Sequence, residues 1–251
     1  MTEQALDAAE EALRRDDLNG AEAALTRAWP DAQQMPSDGL HLLGDVRARQ
    51  QRFADAEKQY RAAVAAAPDA LRHHIALGNA LAAVQNHAGA ADAYANALRI
   101  DMNWPGLMQV YALSCYRADR YEEAEKAARR WLKDSPSPEA WDALSCTLRA
   151  LGKHQEALAA ADEALRLNPS SAPAQHSRGA ALLQLGRSQE ALDIFERLAM
   201  SGVQAPVIWL SRGNALASLE RQSEALAAYS EGARRWPNDR DLQKALAEAR
   251  R

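Results

Sequence analysis

The chain has 251 residues, enough for one or two globular domains or for one array of short repeats. Hydrophobic residues form 47% of the sequence and aromatic residues only 6%, and this alanine-rich composition favours close-packed helices over β-sheets. The net charge of -4 provides no strong positive field, so nucleic acid and anionic membranes are not the expected partners.

Two further features indicate a soluble protein of a reducing compartment. The two cysteines, Cys115 and Cys146, lack both the paired spacing of a metal site and the density of a secreted disulfide framework. The amino-terminal segment is acidic without the apolar centre of a signal peptide, and no run of about 18 apolar residues is present. We therefore expect a cytoplasmic protein with no bound metal or other cofactor.

An alanine recurs along the whole chain, each time just after a turn-like segment. The intervals between successive members are 35, 34, 34, 33, 34 and 34 residues, and the members are Ala21, Ala56, Ala90, Ala124, Ala157, Ala191 and Ala225. An alanine-rich composition alone does not produce so constant a period, because the neighbouring residues recur as well. The sequence therefore predicts seven helix-turn-helix repeats, about 1–36, 37–70, 71–104, 105–137, 138–171, 172–205 and 206–237.

Glycines and prolines agree with this division. The eighth position is glycine in four repeats and another small residue in three; these residues are Gly44, Gly78, Gly179 and Gly213, with Ala9, Ala112 and Ser145. Glycine costs about 1 kcal/mol relative to alanine inside a helix, so its recurrence predicts a close approach between the two helices of a repeat. All ten prolines fall at junctions between repeats, and Ser137 before Pro138 predicts one helix start there.

After Pro237 the pattern predicts one more helix, over residues 238–251. Its apolar stripe, spaced i, i+3, i+4, i+7 among charged residues, consists of Leu242, Ala245, Leu246 and Ala249. We expect this helix to cap the apolar face of the seventh repeat. Because a charged helix stops at Arg251, the chain is also open to being part of a longer protein.

The seventh repeat carries the clearest motif. Large, small and helix-stopping residues stand at fixed offsets in it, namely Trp209, Gly213, Leu216, Ala225, Tyr229 and Pro237. Their spacing resembles the tetratricopeptide repeat, although Arg212 occupies a position at which that motif has leucine. The resemblance implies an all-α fold, a right-handed α-α superhelix (solenoid) of seven repeats plus a C-terminal capping helix. It also implies that the first helix of each repeat lines a concave groove.

In this family the groove binds a protein or an extended peptide, and the resemblance implies which positions of each first helix face it. Those positions hold Arg49, Arg72, Ile75, Asn79, Gln109, Leu113, Tyr116, Arg117, Asp142, Arg149, His176 and Asn214. Arginines in four consecutive repeats could clamp carboxylates or backbone carbonyls of a peptide, with apolar residues between them. The alternative is structural, since nearby acids could neutralise the arginines across adjacent helices; these acids are Asp38, Asp45, Glu139 and Asp142.

No catalytic motif stands out from the repeat pattern. His154 and Glu156 match two ligands of an iron site, but they fall at a turn and a helix start of the fifth repeat. His73 and His74 are adjacent on a helix, so their rings point about 100° apart and do not suit a shared metal. The sequence also lacks phosphate-binding loops, nucleophile elbows and zinc-protease helices.

The sequence therefore favours a non-enzymatic scaffold that binds a protein or peptide partner in its groove. The alternative is that the chain is the N-terminal substrate-recruiting arm of a larger bacterial enzyme, a glycosyltransferase, a sulfotransferase or an Fe(II)/2-oxoglutarate oxygenase. A monomer is the favoured state, with self-association through exposed repeat faces as a third hypothesis. The fold by itself does not identify the partner.

Overall fold

The computed structural model describes residues 2–250, and no strand occurs within them. The fifteen α-helices of this part of the chain are α1 (Thr2–Arg14), α2 (Leu18–Ala28), α3 (Ser37–Arg49), α4 (Phe53–Ala66), α5 (Leu71–Ala83), α6 (His87–Ile100), α7 (Leu107–Arg117), α8 (Tyr121–Asp134), α9 (Pro138–Ala150), α10 (His154–Leu167), α11 (Ala172–Gln184), α12 (Ser188–Met200), α13 (Pro206–Ser218), α14 (Gln222–Arg235) and α15 (Arg240–Ala249). The all-α prediction is confirmed. Met1 and Arg251, the ends of the first predicted repeat and of the predicted capping helix, lie outside the described residues.

The chain divides into two compact halves, one through Ala127 and one from Ala128, so the division falls within α8. In the N-terminal half α1 packs on α2, α3 on α4, and α5 on α6. In the C-terminal half α9 packs on α10, α11 on α12 and α13 on α14, while α15 packs on α14 and α13. No helix within residues 2–250 is long and apolar enough to cross a membrane. The residue limits of the seven predicted repeats stay a prediction.

The periodic alanines fill the contacts inside the helix pairs. All seven lie on second helices, and none is more than 1% exposed. A methyl group at this position lets two helices pack closely, and a larger side chain would have to displace its neighbours. The sequence period is therefore a period of buried contacts within each half.

The recurrent glycines admit an aromatic ring from the paired helix. The contacts are Gly44 with Tyr60, Gly78 with Tyr94, Gly179 with Phe195, and Gly213 with Tyr229. A Cβ atom on these glycines would lie only 2.2 to 2.7 Å from a ring carbon, closer than any ordinary van der Waals contact. The predicted packing reason for these glycines is confirmed.

Each first helix passes into its second helix through a turn that contains one residue with positive φ. Five of these residues are not glycine, with φ between 58° and 62°, and they are Asp16, Gln51, Gln85, Asp119 and Glu220. The other two are Gly152 and Gly186, both with φ of 75°. A residue with a Cβ atom is strained in this left-handed conformation by roughly 1 to 2 kcal/mol, so five of the turns store a small cost that glycine would avoid.

The helix start predicted at Ser137 and Pro138 is present in the structure. α9 begins at Pro138, and the Ser137 hydroxyl accepts a hydrogen bond of 3.2 Å from the backbone N–H of Ala140, as predicted.

In α15, Leu242 and Leu246 are buried whereas Ala249 is exposed. The predicted apolar stripe is thus buried over only part of its length, because Ala249 is the last residue of that helix.

We expect Gly78→Ala to destabilise the protein by about 1 to 3 kcal/mol, because the added Cβ atom overlaps the ring of Tyr94. In a Tyr94→Ala background the same change should stabilise by up to about 1 kcal/mol, since alanine is the better helix former once the ring is gone. Urea unfolding of the four proteins in this double-mutant cycle measures both values. An effect of the same sign in both backgrounds would contradict the packing role of the glycine.

A second expectation concerns the turn between α5 and α6. Gln85→Gly should stabilise the protein by about 0.5 to 1 kcal/mol, because glycine adopts positive φ without the Cβ strain. Gln85→Ala, which keeps a Cβ atom, is the matched control and should give no gain. Gly186→Ala should cost about 1 kcal/mol at the equivalent turn of the C-terminal half. Chemical denaturation midpoints distinguish these outcomes.

Candidate functional site

Three tyrosines on second helices hold a polar side chain of the paired first helix. Each hydroxyl donates a hydrogen bond of 2.7 Å to the residue after the contacted glycine, and the pairs are Tyr60 with Asp45, Tyr94 with Asn79, and Tyr229 with Asn214. Burial raises the pKa of Tyr94 to about 12, so its hydroxyl remains a donor at neutral pH. The fourth ring belongs to Phe195, which has no hydroxyl, and its glycine is followed by Ala180.

Asn79 and Asn214 present an oriented amide group at the surface. Both residues are exposed, and a tyrosine hydroxyl fixes the amide oxygen of each. Among the described residues neither amide nitrogen has a hydrogen-bond acceptor, so its two N–H groups are available to another molecule. These two predicted groove residues therefore have the chemistry to bind a peptide carbonyl.

An open cavity of about 350 Å³ lies in the N-terminal half, lined by α3, α4, α5 and the loop after α6. Three predicted groove residues, Arg72, Ile75 and Asn79, line it together. Asp45 and Tyr60 line it as well, so the cavity combines an apolar wall with a carboxylate and an amide. Cavities of this size and mixed lining are typical of sites that take a side chain or a small ligand.

Trp104 also lines this cavity, and the sequence prediction missed it. It lies in the connection between α6 and α7, whereas the predicted positions were all on first helices. Its side chain is 47% exposed, which is unusual for a tryptophan. The available signal was a large aromatic residue directly before Pro105 in a connecting segment.

Two of the four predicted groove arginines already have partners within the N-terminal half. Arg49 donates a hydrogen bond of 2.5 Å to the carbonyl of Leu13 near the end of α1, and lies 3.5 Å from Asp16. Arg72 forms an ion pair with Asp38 on the neighbouring first helix. The structural interpretation of these arginines is therefore favoured over a clamp for peptide carboxylates.

The residues predicted on α7 differ in exposure. Arg117 is exposed, and within residues 2–250 it forms no ion pair. Gln109, Leu113 and Tyr116 are half-buried, and the ring centroid of Tyr116 lies 5.8 Å from that of Tyr121 on α8. None of these four residues is among the side chains that line the cavity.

Three histidines of the N-terminal half contact other parts of the chain, two of them between neighbouring first helices and one at the loop before α5. The Nδ1 atoms of His73 and His41 lie 3.2 Å apart, and His74 Nε2 lies 2.7 Å from the carbonyl oxygen of Pro68. Burial lowers the pKa of His73 to about 4 and also lowers that of His41, so both rings are neutral at pH 7. The adjacent rings of His73 and His74 thus have different partners, and the described residues contain no group of three metal-binding side chains.

In the C-terminal half, two further predicted residues join neighbouring first helices. The Ser177 hydroxyl on α11 donates a hydrogen bond of 2.6 Å to Asp142 on α9, and it lies 3.4 Å from the Cys146 sulfur. His176 Nε2 lies 2.9 Å from the Ser211 hydroxyl on α13. Burial raises the pKa of Asp142 and lowers that of His176 to about 4, as expected for polar groups taken out of water.

Arg149 differs from the arginines of the N-terminal half. It is half-buried on α9 and near the Cys146 thiol, and in the described part of the chain it forms no ion pair with a carboxylate. Its charge contributes to the lowered pKa of His176. Arg149 and Asn214 are thus the predicted residues of this half whose polar groups are not fully used inside the chain.

Comparisons with known proteins agree with this architecture. Family models described as tetratricopeptide repeat match residues 41–104, 143–207 and 206–249. No curated protein matches the sequence.

Several solved structures are similar to the chain. A tetratricopeptide repeat protein from Parabacteroides merdae ATCC 43184 has a TM-score of 0.75 at 15% identity, covering 100% of this chain and 99% of its own. A thermophilic tetratricopeptide repeat protein of Thermus thermophilus has a TM-score of 0.63 at 24% identity, and the match covers 72% of this chain and 98% of that protein. YrrB, a tetratricopeptide repeat protein with an unusual peptide-binding site, has a TM-score of 0.51 at 20% identity, and the match covers 74% of this chain and 96% of YrrB.

At these identities the structural likeness establishes the fold and not the ligand. The family matches cover more than half of the sequence, and they include the seventh repeat with its motif from Trp209 to Pro237. The paired helices, the buried alanines and the glycine-ring contacts account for that match in physical terms. The chain belongs to the tetratricopeptide repeat family.

Proposed function

We propose that this protein is an interaction scaffold that binds an extended peptide, or an extended segment of a protein, along the first helices of its repeats. The observation that carries the proposal is Asn79, whose amide is held by Tyr94 at the edge of an open cavity. Tetratricopeptide repeats generally serve protein-protein interaction, and the peptide-binding site of YrrB supports the same use of this fold.

An extended peptide suits this surface because its backbone brings unsatisfied carbonyl and N–H groups. The two free N–H groups of Asn79 can donate to a peptide carbonyl, and the remaining lone pair of its oxygen can accept from a peptide N–H. Since Tyr94 already fixes the amide, little side-chain entropy is lost on binding.

The cavity beside Asn79 would hold a side chain of the same peptide. Ile75 and Trp104 give it apolar walls, and its volume of about 350 Å³ accommodates one long side chain together with water. Asn214 offers an equivalent amide in the C-terminal half. A backbone contact at Asn79 and one side chain in the cavity make up the proposed mode of recognition in the N-terminal half.

The test begins with selection of binders from a synthetic pool of nine-residue peptides, acetylated and amidated so that end charges do not contribute. Affinity of a selected peptide is then measured by fluorescence anisotropy. We expect Asn79→Ala to weaken binding about threefold to tenfold, because it removes a hydrogen-bond donor worth roughly 0.5 to 1.5 kcal/mol.

Asn19→Ala is the matched control, because Asn19 is an exposed asparagine on the second helix α2. It should leave the affinity unchanged. Equal affinities for the wild type and Asn79→Ala would overturn the proposal that this amide binds the peptide. A pool that yields no binder would overturn the scaffold proposal for short extended peptides as a class.

A further inference from the structure

One carboxylate in the cavity of the N-terminal half has no cationic partner. Asp45 accepts a hydrogen bond of 2.7 Å from Tyr60, and its other oxygen lies 3.8 Å from His41 Nε2. Burial lowers the pKa of His41 and outweighs the opposing effect of Asp45, so this ring is mostly neutral at pH 7. In the described part of the chain no lysine or arginine forms an ion pair with Asp45, and its side chain is 34% exposed.

The arginines closest to this cavity do not neutralise Asp45. Arg72 lines the cavity but forms an ion pair with Asp38. Arg49 is close enough for its charge to act on the pKa of Tyr60. Its guanidinium is nevertheless bound to the carbonyl of Leu13 and lies 3.5 Å from Asp16. Asp45 is therefore the carboxylate of this cavity that has no ion-pair partner of fixed positive charge among the described residues.

The walls of the cavity suit the stem of a long cationic side chain. Ile75, Phe53 and Trp104 line it, and Trp104 is 47% exposed at its edge. Lysine and arginine bury their aliphatic stems against apolar surface while the charged end remains near polar groups. The face of an indole ring also attracts a cation.

We propose that this cavity selects a basic side chain, lysine or arginine, from the bound peptide. The ammonium or guanidinium group pairs with Asp45, and the stem packs between Ile75 and Trp104. An acidic side chain would instead meet the Asp45 carboxylate, and an apolar side chain would leave Asp45 partly desolvated without a cationic partner. This inference rests on the proposed function, since it names the side chain that accompanies the backbone contact at Asn79.

Asp45→Asn is a specific test of the charge, because other repeats of the chain already have an asparagine at this position. Asn79 and Asn214 accept the same tyrosine hydrogen bond at the same distance, 2.7 Å, so an asparagine at position 45 keeps the contact with Tyr60 and removes only the charge. Asp193→Asn on α12, an exposed aspartate of the C-terminal half, is the matched control for net charge.

The experiment repeats the selection from the nine-residue pool on the wild type, on Asp45→Asn and on Asp193→Asn. We expect lysine or arginine to be enriched at one peptide position on the wild type and on Asp193→Asn, and that enrichment to be lost on Asp45→Asn. Replacing this peptide residue by norleucine should weaken binding to the wild type about fivefold to tenfold and binding to Asp45→Asn hardly at all. Trp104→Ala should also weaken binding, and Trp104→Phe should do so less.

The outcomes separate this inference from the proposed function. Binders that need Asn79 but show no basic position, or that bind Asp45→Asn as tightly as the wild type, would overturn the inference and leave the proposed function standing. A pool without any binder would overturn both. Thermal unfolding of Asp45→Asn close to that of the wild type shows that a lost preference reflects charge and not misfolding.

Discussion

The close contact between a glycine of one helix and an aromatic ring of its partner sets the geometry of four helix pairs. Because the ring lies directly on the glycine, a tyrosine hydroxyl reaches the next residue of the first helix, which is Asp45, Asn79 or Asn214. The packing contact thus also orients a polar group at the surface. Where alanine replaces the ring, another contact joins the helices, as when the Ser145 hydroxyl donates to the carbonyl of Ala157 at 2.8 Å.

The first helices have a structural task, because their polar side chains join one helix pair to the next. Arg72 pairs with Asp38, Ser177 binds Asp142, and His176 lies at 2.9 Å from Ser211, each contact joining successive first helices. A polar side chain used in this way is already satisfied and has less to offer a ligand. The side chains that remain available are few, and they include two asparagine amides and one carboxylate.

The tyrosine contact accepts either aspartate or asparagine at the same distance, since a hydroxyl can donate to a carboxylate oxygen or to an amide oxygen. Asp45 and Asn79 illustrate this, with the same 2.7 Å hydrogen bond and a different charge. Charge at this position can therefore vary independently of helix packing. Under the proposed function, this separates the residues that determine the fold from those that would determine the ligand.

The sequence by itself determined the repeat period, the all-α class and the packing role of the recurrent glycines, because those depend on contacts within one helix pair and recur at a fixed spacing. It also placed Asn79 and Asn214 among the residues of the predicted groove, and that assignment stays a prediction. Only the tertiary structure decided that Arg49 and Arg72 are occupied and that Trp104 joins Asp45 in one cavity. These facts depend on contacts between neighbouring pairs and on the path of a connecting loop, and neither has a period that the sequence displays.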